Sequence, residues 1–287
     1  METVLKLEKR PKQLALGDIL IASGRLDKDK IKQILTDQQQ TKRSFGESAV
    51  ALNLVSQDDI AQALSQQYDF PYLNKGDSNV DESIIAAYQP QSSKVETFRR
   101  IRSKLMLRWL AAEKPNKKLA IYAEEPESGC SWMTANLGVV FAQLGERTLV
   151  IDCDLRQPSQ HELFGCSNKK GLSGILRGAY GPEVIQPVQN LSQLQVLTAG
   201  PVPPNPQELL SQSSFGQLLN TLQERFDVIL IDAPDNRSGD AQLVLVQTGQ
   251  TIIMCRKNSS SVEATRLQLE QLRELGVTIA GSVLNTF

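Results

Sequence analysis

The runs TLVIDCDLR (148–156) and VILIDAP (228–234) each begin apolar at almost every position and then turn abruptly to aspartate. A strand buried on both faces reads as such an unbroken apolar run, whereas a carboxylate at its end wants water, a metal or a cation. Further strand-length runs lie at 119–123, 194–198, 251–255 and 279–284. Between them, apolar positions recur at helical spacing over 131–144, 207–225, 240–248 and 260–275. Strand–helix alternation of this kind predicts an α/β fold, a mostly parallel, doubly wound sheet flanked by helices. Ligands of open α/β sheets bind outside the carboxyl ends of the strands, which brings Asp152, Asp154 and Asp232 together as a candidate cation site. Capping of the helix or turn that follows is the other use of an aspartate at such a position.

The segment LAIYAEEPESGCSWMTANLGVVFAQLG (119–145) reads as strand, loop and helix, the helix closing at Gly145. With Gly129 and Ser131 at the turn, this is where a phosphate-binding loop would lie. Backbone N–H groups and the helix N-terminus cradle phosphate there, and a serine hydroxyl ligates magnesium. The full pattern is not met, because position 124 is Glu rather than Gly and position 130 is Cys rather than Lys. A helix N-terminus favours thiolate, so Cys130 is expected to be the most reactive of the four cysteines.

The first 75 residues carry an internal repeat. LGDILIASGRLDKDKIKQILTDQ (16–38) aligns with FGESAVALNLVSQDDIAQALSQQ (45–67) at an offset of 29, with seven of 23 positions identical. Each half predicts a short helix, a turn and a second helix capped by Asp27 or Ser56. Residues 1–75 therefore form a small all-α domain, and the polar, Pro- and Gly-containing stretch 76–91 suits a linker to the domain spanning 92–287. That domain opens with a helix near Ser92, on which Glu96, Arg99 and Arg102 fall at i, i+3 and i+6. Such a set is either a solvated charged face or a subunit contact.

Composition narrows the function classes. A net charge of −1 gives no general attraction for nucleic acid, and no apolar run reaches the roughly 18–20 residues needed to cross a bilayer. The N-terminus METVLKLEKRPKQ is too charged for a signal peptide. Four cysteines without CxxC spacing suggest reduced, mostly buried thiols. The one histidine, His161, cannot form a metal cluster alone and is expected on a helix surface.

Five segments in order, VIDCDLRQPSQHELFG (150–165), GLSGIL (171–176), AGPVPPNPQELL (199–210), FDVILIDAP (226–234) and GSVLN (281–285), carry a resemblance. From Ser92 to Phe287 the chain resembles the cytoplasmic bacterial tyrosine kinases of polysaccharide export, relatives of the ParA/MinD ATPases with a P-loop NTPase fold. More narrowly it is similar to the chain-length-determinant kinases of exopolysaccharide clusters (EpsG-like). The resemblance implies ATP or ADP with Mg²⁺ as ligands, held by Glu127, Ser128, Gly129, Cys130, Ser131 and Trp132. It implies Ser131, Asp154 and Asp232 at the metal, and Asp154, assisted by Asp152, in catalysis. Arg156, Lys169, Lys170 or a neighbour's Arg99 and Arg102 are candidates for the charge that Cys130 lacks.

The same resemblance implies a homo-oligomer built on Glu96, Arg99 and Arg102. It also implies a membrane-embedded, Wzz-type chain-length determinant as partner, and a cytoplasmic location at the inner membrane through that partner. Relatives carry a tyrosine-rich tail, whereas this chain ends LNTF and its five tyrosines are dispersed. Autophosphorylation of a tail is therefore not expected. The N-terminal repeat resembles the N-terminal domain of type II secretion ATPases. Members of that group that bind cyclic di-GMP use an Arg ahead of Leu-Gly. Ala15 and Ser44 stand there instead, which points to docking or a purely structural role.

Overall fold

The computed structural model describes residues 15–68, 70–76, 78–110 and 116–286, which divide into two compact units at Pro71/Tyr72. The charged stretch 1–13 and Phe287 lie outside the described residues.

The first unit is helical: α1 (Leu16–Ala22), α2 (Lys28–Thr41), α3 (Phe45–Ala51) and α4 (Gln57–Tyr68). The repeat is a repeat of packing. Leu20/Ala49, Leu26/Val55 and Ile34/Ala63 occupy equivalent positions at the 29-residue offset, and all six are buried in one core. The turn is repeated as well, since Gly24 (φ 70°) and Asn53 (φ 54°) both take the left-handed conformation. Asparagine enters that region more readily than other non-glycine residues, which explains why it replaces Gly there. Ser56 caps α4, accepting from Asp59 N–H at 3.1 Å. Asp27 makes no such cap at α2 and pairs instead with Lys30 at 3.4 Å, correcting the expectation for that residue.

The second unit begins at Tyr72, so the expected linker 76–91 belongs to it. Within that polar stretch Val80, Ile84, Ala86 and Ala87 are buried in the main core, and α5 (Ile85–Tyr88) packs on the central helix. Ala86 N–H donates to Asn136 Oδ1 at 2.9 Å, and Gln143 Nε2 to the Ala86 carbonyl at 2.9 Å. Four small or apolar anchors among polar neighbours suffice for packing, although they read as linker by composition.

Ser92 caps α6 (Ser93–Leu105), which continues into a π-helical turn over Met106–Leu110. Strand β1 (Lys118–Tyr122), α7 (Cys130–Ala142), β2 (Thr148–Asp152), α8 (Gln160–Leu163) and α9 (Leu172–Leu176) follow. Next come β3 (Gln186–Pro187), β4 (Leu194–Leu197), α10 (Pro206–Ser211), α11 (Ser213–Arg225) and β5 (Val228–Asp232). The chain closes with α12 (Asp240–Thr248), β6 (Gln250–Arg256), α13 (Val262–Glu274) and β7 (Thr278–Asn285). The sheet order is β3-β4-β2-β5-β1-β6-β7, parallel except for the short β3.

The expected helix 207–225 is two helices, because Gln212 is extended (φ −68°, ψ 145°) and lets Leu209, Leu210, Phe215 and Leu219 all reach the core. Lys117 and Lys118 are held at the edge of the core. Lys118 is 8% exposed, and the Lys117 ammonium donates to the carbonyls of Gln223 and Phe226.

Alternation along the strands builds two apolar layers. Leu119, Ile121, Val150, Val228 and Leu230 face the side of α5, α6 and α7. Ala120, Tyr122, Leu149, Ile151, Ile229 and Ile231 face the side of α10 to α12. From Met133 to Ala142 every residue of α7 is buried, as a helix without a polar face must be. The same parity turns Asp152 and Asp232, which continue the even-numbered series, toward the α7 layer.

Candidate functional site

Asp152 and Asp232 end neighbouring parallel strands as direct register partners, and both are buried. Asp152 is fully engaged by the loop after β2. Its Oδ1 accepts from Asp154 N–H at 3.1 Å, and its Oδ2 from the Ser159 and Gln160 N–H groups, each at 2.9 Å. Asp232 Oδ2 accepts from Gln160 Nε2 at 2.8 Å, and the same amide nitrogen donates to the Ser131 carbonyl at 3.0 Å. Gln160 thus ties the β5 carboxylate to the first turn of α7. Asp232 Oδ1 is buried without a hydrogen bond of full geometry.

Burial pushes Asp232 up to about 7, against the pull of Gln160 and the Ser131 and Ser159 hydroxyls. Asp152 moves in the same direction, well above the usual carboxylate range, through burial first and the Asp232 charge second. Two adjacent carboxylates without a cation resist ionising together. The expected three-carboxylate metal cluster is nevertheless corrected: among the described residues no three His, Cys, Asp or Glu side chains are placed to hold one ion. Asp152 is consumed by backbone donors, and Asp154 Oδ1 accepts from the Arg156 and Gln157 N–H groups at 3.0 and 2.8 Å.

The loop between β1 and α7 has the course of a phosphate cradle. Gly129 (φ 87°) opens α7, and the first helical bond runs from Met133 N–H to the Gly129 carbonyl. The N–H groups of the preceding turn have no partner inside the helix, which makes this end an anion site. Glu127 takes φ 57°, a left-handed conformation that favours glycine. Asn285 Nδ2 holds the Ser128 carbonyl at 3.1 Å, and Ser260 Oγ holds Glu125 Oε2 at 2.7 Å. The Trp132 indole N–H donates to the Ser83 carbonyl at 2.6 Å, and its ring meets Phe98 of α6 edge-on at 5.2 Å.

A cavity of about 720 Å³ lies over this loop, lined among others by Glu127, Ser128, Gly129, Cys130, Ser131, Trp132, Asp154 and Arg237. All six loop positions named from the sequence are there, together with Asp154. Asp152, fully buried, is not among the residues that line it. The residues fit a magnesium-bound phosphate: amides at a helix N-terminus, the Ser131 hydroxyl, and the under-bonded Asp232 Oδ1 behind it.

Cys130 departs from expectation. It packs against the α7-side core, and burial first, then the Asp232 and Asp235 charges, push its thiol well above the ordinary range. Desolvation outweighs the helix N-terminus, so this is no activated thiolate. All four cysteines are free, Cys153 buried and the others half-buried. His161 is also half-buried, with Nδ1 lacking a partner, rather than on an open surface.

The candidate replacement cations lie elsewhere. Arg156 is bound to buried Asp240 at 2.6 Å, Lys170 stands over the Tyr180 ring, and Lys169 lines a separate cavity of about 550 Å³. On α6, Arg99 pairs with Glu96 at 3.2 Å, while Arg102 turns inward to the Val140 carbonyl at 2.7 Å. Gln160, Ser159 and Arg237 went unnoticed in the sequence. For Gln160 the only signal was its place in the segment after the β2 aspartates, and its role depends on a contact 72 residues away.

The ParA family model, described as NUBPL iron-transfer P-loop NTPase, matches residues 116–286, more than half of the chain. A putative tyrosine-protein kinase, CapB of Staphylococcus aureus, is 38% identical over 69% of this chain and 86% of its own length. Tyrosine-protein kinase etk of Escherichia coli K12 is 33% identical over 70% of this chain, which spans only 28% of that protein. The solved kinase domain of E. coli tyrosine kinase ETK superposes with a TM-score of 0.67 at 33% identity, covering 71% of this chain and 79% of that one. By family model, by identity along the chain and by superposition, the chain belongs to the bacterial tyrosine-protein kinase family, within the ParA group of P-loop NTPases.

Proposed function

We propose that the chain is a cytoplasmic, ATP-binding, tyrosine-kinase-like regulator of exopolysaccharide polymerisation, chain length and export. It would act beside a membrane-embedded, Wzz-type chain-length determinant. The observation that carries this reading is the seating of Ser131, at the start of α7, against Asp232 at the end of β5, with the cradle of residues 127–132 opening on one cavity. Kinship with tyrosine kinases supports the reaction class. Membership alone does not assign this chain a target. No helix among the described residues is long and apolar enough to cross a membrane, so attachment through a partner fits.

In this reading the α7 N-terminus and loop amides bind the phosphates, the Ser131 hydroxyl meets the metal, and Asp232 orients what surrounds it. Asp154, at the cavity wall, accepts the tyrosine proton, and Asp152 fixes the loop that carries Asp154. Magnesium, when bound, offsets charge on the phosphates and aligns them for transfer. Phosphoryl transfer is governed by position and charge, so a missing cation matters. A charged hydrogen bond is worth about 1.5–3 kcal/mol in the ground state and more where charge develops.

Cys130 favours a second reading, a catalytically impaired pseudokinase or assembly scaffold of the same pathway. Calorimetric titration with ADP and ATP, with and without Mg²⁺, separates them. Magnesium-dependent binding, with its magnesium dependence altered in Ser131→Ala, is the expected result. Binding without turnover selects the pseudokinase, and no binding at millimolar nucleotide leaves a scaffold only.

A further inference from the structure

We infer that Arg237 takes the place of the missing loop lysine and supplies the cation for the nucleotide phosphates. This rests on the nucleotide reading above. Six carboxylates line the cavity, Asp81, Glu125, Glu127, Asp154, Glu162 and Asp235, and Arg237 is the one cation among its lining residues. A polyphosphate placed among six carboxylates needs positive charge beyond a single magnesium ion.

The backbone brings Arg237 to the loop. After β5, Ala233 N–H donates to the Ile121 carbonyl at 3.2 Å and Asn236 N–H to the Glu124 carbonyl at 3.4 Å. The segment therefore runs alongside the first residues of the phosphate loop, and Arg237 follows directly. After Asp235, the carboxylates of Asp154 and Glu127, which line the same cavity, help hold its guanidinium charged. Asp235 orients it through Nε at 2.8–2.9 Å and Nη2 at 2.6 Å, and Nη2 also donates to Gln157 Oε1 at 3.2 Å. Nη1 has no partner among the described residues.

The contrast with Arg156 decides which arginine is available. Arg156 is locked to a carboxylate only 2% exposed, and leaving it would strand a buried charge. The Arg237 side chain is 57% exposed and its partner Asp235 17%, so this pair lies nearer solvent than Arg156–Asp240, and Nη1 can meet phosphate while Asp235 keeps the other edge of the fork. Arginine also suits phosphate, which its planar donors meet two at a time.

Calorimetric titration of Mg-ADP into the whole chain tests this. Variants are Arg237→Ala, Arg237→Lys, Cys130→Lys, the double change Cys130→Lys/Arg237→Ala, and Arg266→Ala as an exposed control on α13. Thermal melts confirm that each is folded. Expected is a loss of roughly ten-fold or more in affinity for Arg237→Ala, partial retention for Arg237→Lys and no change for Arg266→Ala. Cys130→Lys should gain more in the Arg237→Ala background than alone, because the two cations replace one another. Unchanged affinity in folded Arg237→Ala, or an equal gain from Cys130→Lys in both backgrounds, overturns the role of Arg237 while leaving nucleotide binding intact. Absence of Mg-ADP binding by the unmodified chain at millimolar concentration overturns both.

Discussion

Asp152 and Asp232 face one another as register partners across β2 and β5, buried, on the layer that holds α7. Ligand-free, this pair works against the fold at neutral pH. The folded-state value of Asp232 is raised from 3.8 to about 7, and Asp152 is raised too. The folded state therefore binds protons that the unfolded chain has released, and the linkage slope is negative. Stability falls as pH climbs from about 4 through 7, and Asp152 acts in the same direction.

Asp232→Asn removes one member of the pair. Its gain in melting temperature over the unmodified protein, without Mg²⁺, should be small near about pH 4.5 and grow as pH rises through about 7. Thermal melts across this range check it. An offset independent of pH would show that Asp232 ionises freely in the fold.

Gln160→Ala tests the tie between β5 and α7. The amide makes two hydrogen bonds from one buried nitrogen, to Asp232 and to the Ser131 carbonyl. Its removal takes the amide donor from Asp232 Oδ2 and from the Ser131 carbonyl at once, so a loss of about 1–3 kcal/mol in unfolding free energy is expected. Denaturant melts measure that, and nucleotide affinity should weaken with it. A change within about 0.5 kcal/mol would mean that water replaces the amide at no cost.

The sheet was legible because β1, β2 and β5 are buried on both faces, with Leu119–Ile121, Leu149–Ile151 and Val228–Ile231 apolar throughout. Helix bounds fell within two residues of expectation for α7, α12 and α13. The segment 76–91 was misread because four anchors, Val80, Ile84, Ala86 and Ala87, carry its packing, while composition averages them with polar neighbours. Loop residues 127–132 and Asp154 were legible from their position after a strand. Gln160 and Arg237 were not, since their chemistry arises from contacts of long sequence separation. Cys130 was misread for another reason: a helix N-terminus can be named from sequence, but the desolvation that opposes it belongs to the packed core.

That misreading gives a direct measurement. With its thiol pushed well above the ordinary range and packed on the core, Cys130 should alkylate slowly at about pH 7.5. Cys255 on β6 is less buried and should react first, although burial raises it as well. Peptide mass spectrometry after timed iodoacetamide exposure ranks the four. Nucleotide should slow Cys130 further and leave Cys166 unchanged. Rapid labelling of Cys130 would mean that its side chain turns outward into the cavity.

The proposed assembly surface on α6 needs a sharper probe than removal of both arginines. Arg102 donates to the Val140 carbonyl at the end of α7 and is half-buried, so Arg102→Ala disturbs the core as well as any subunit contact. Glu96 and Arg99 sit further out, with 57% and 25% of their side chains exposed. Their intrahelical pair contributes only a few tenths of a kcal/mol, roughly 0.3–0.5, to the monomer. Arg99→Glu should lower the mass seen by light scattering at tens of micromolar, with the melting temperature recorded beside it. Glu96→Arg alone should do the same, and the charge swap carrying both changes should recover mass if the two residues meet across subunits. Lys117 and Lys118 cannot serve as controls because both are engaged in the core edge, whereas Arg266 on α13 is open to solvent. If Arg99→Glu keeps the mass of the unmodified protein, or that protein is itself monomeric, α6 is a solvated charged face and a neighbour supplies nothing to the loop.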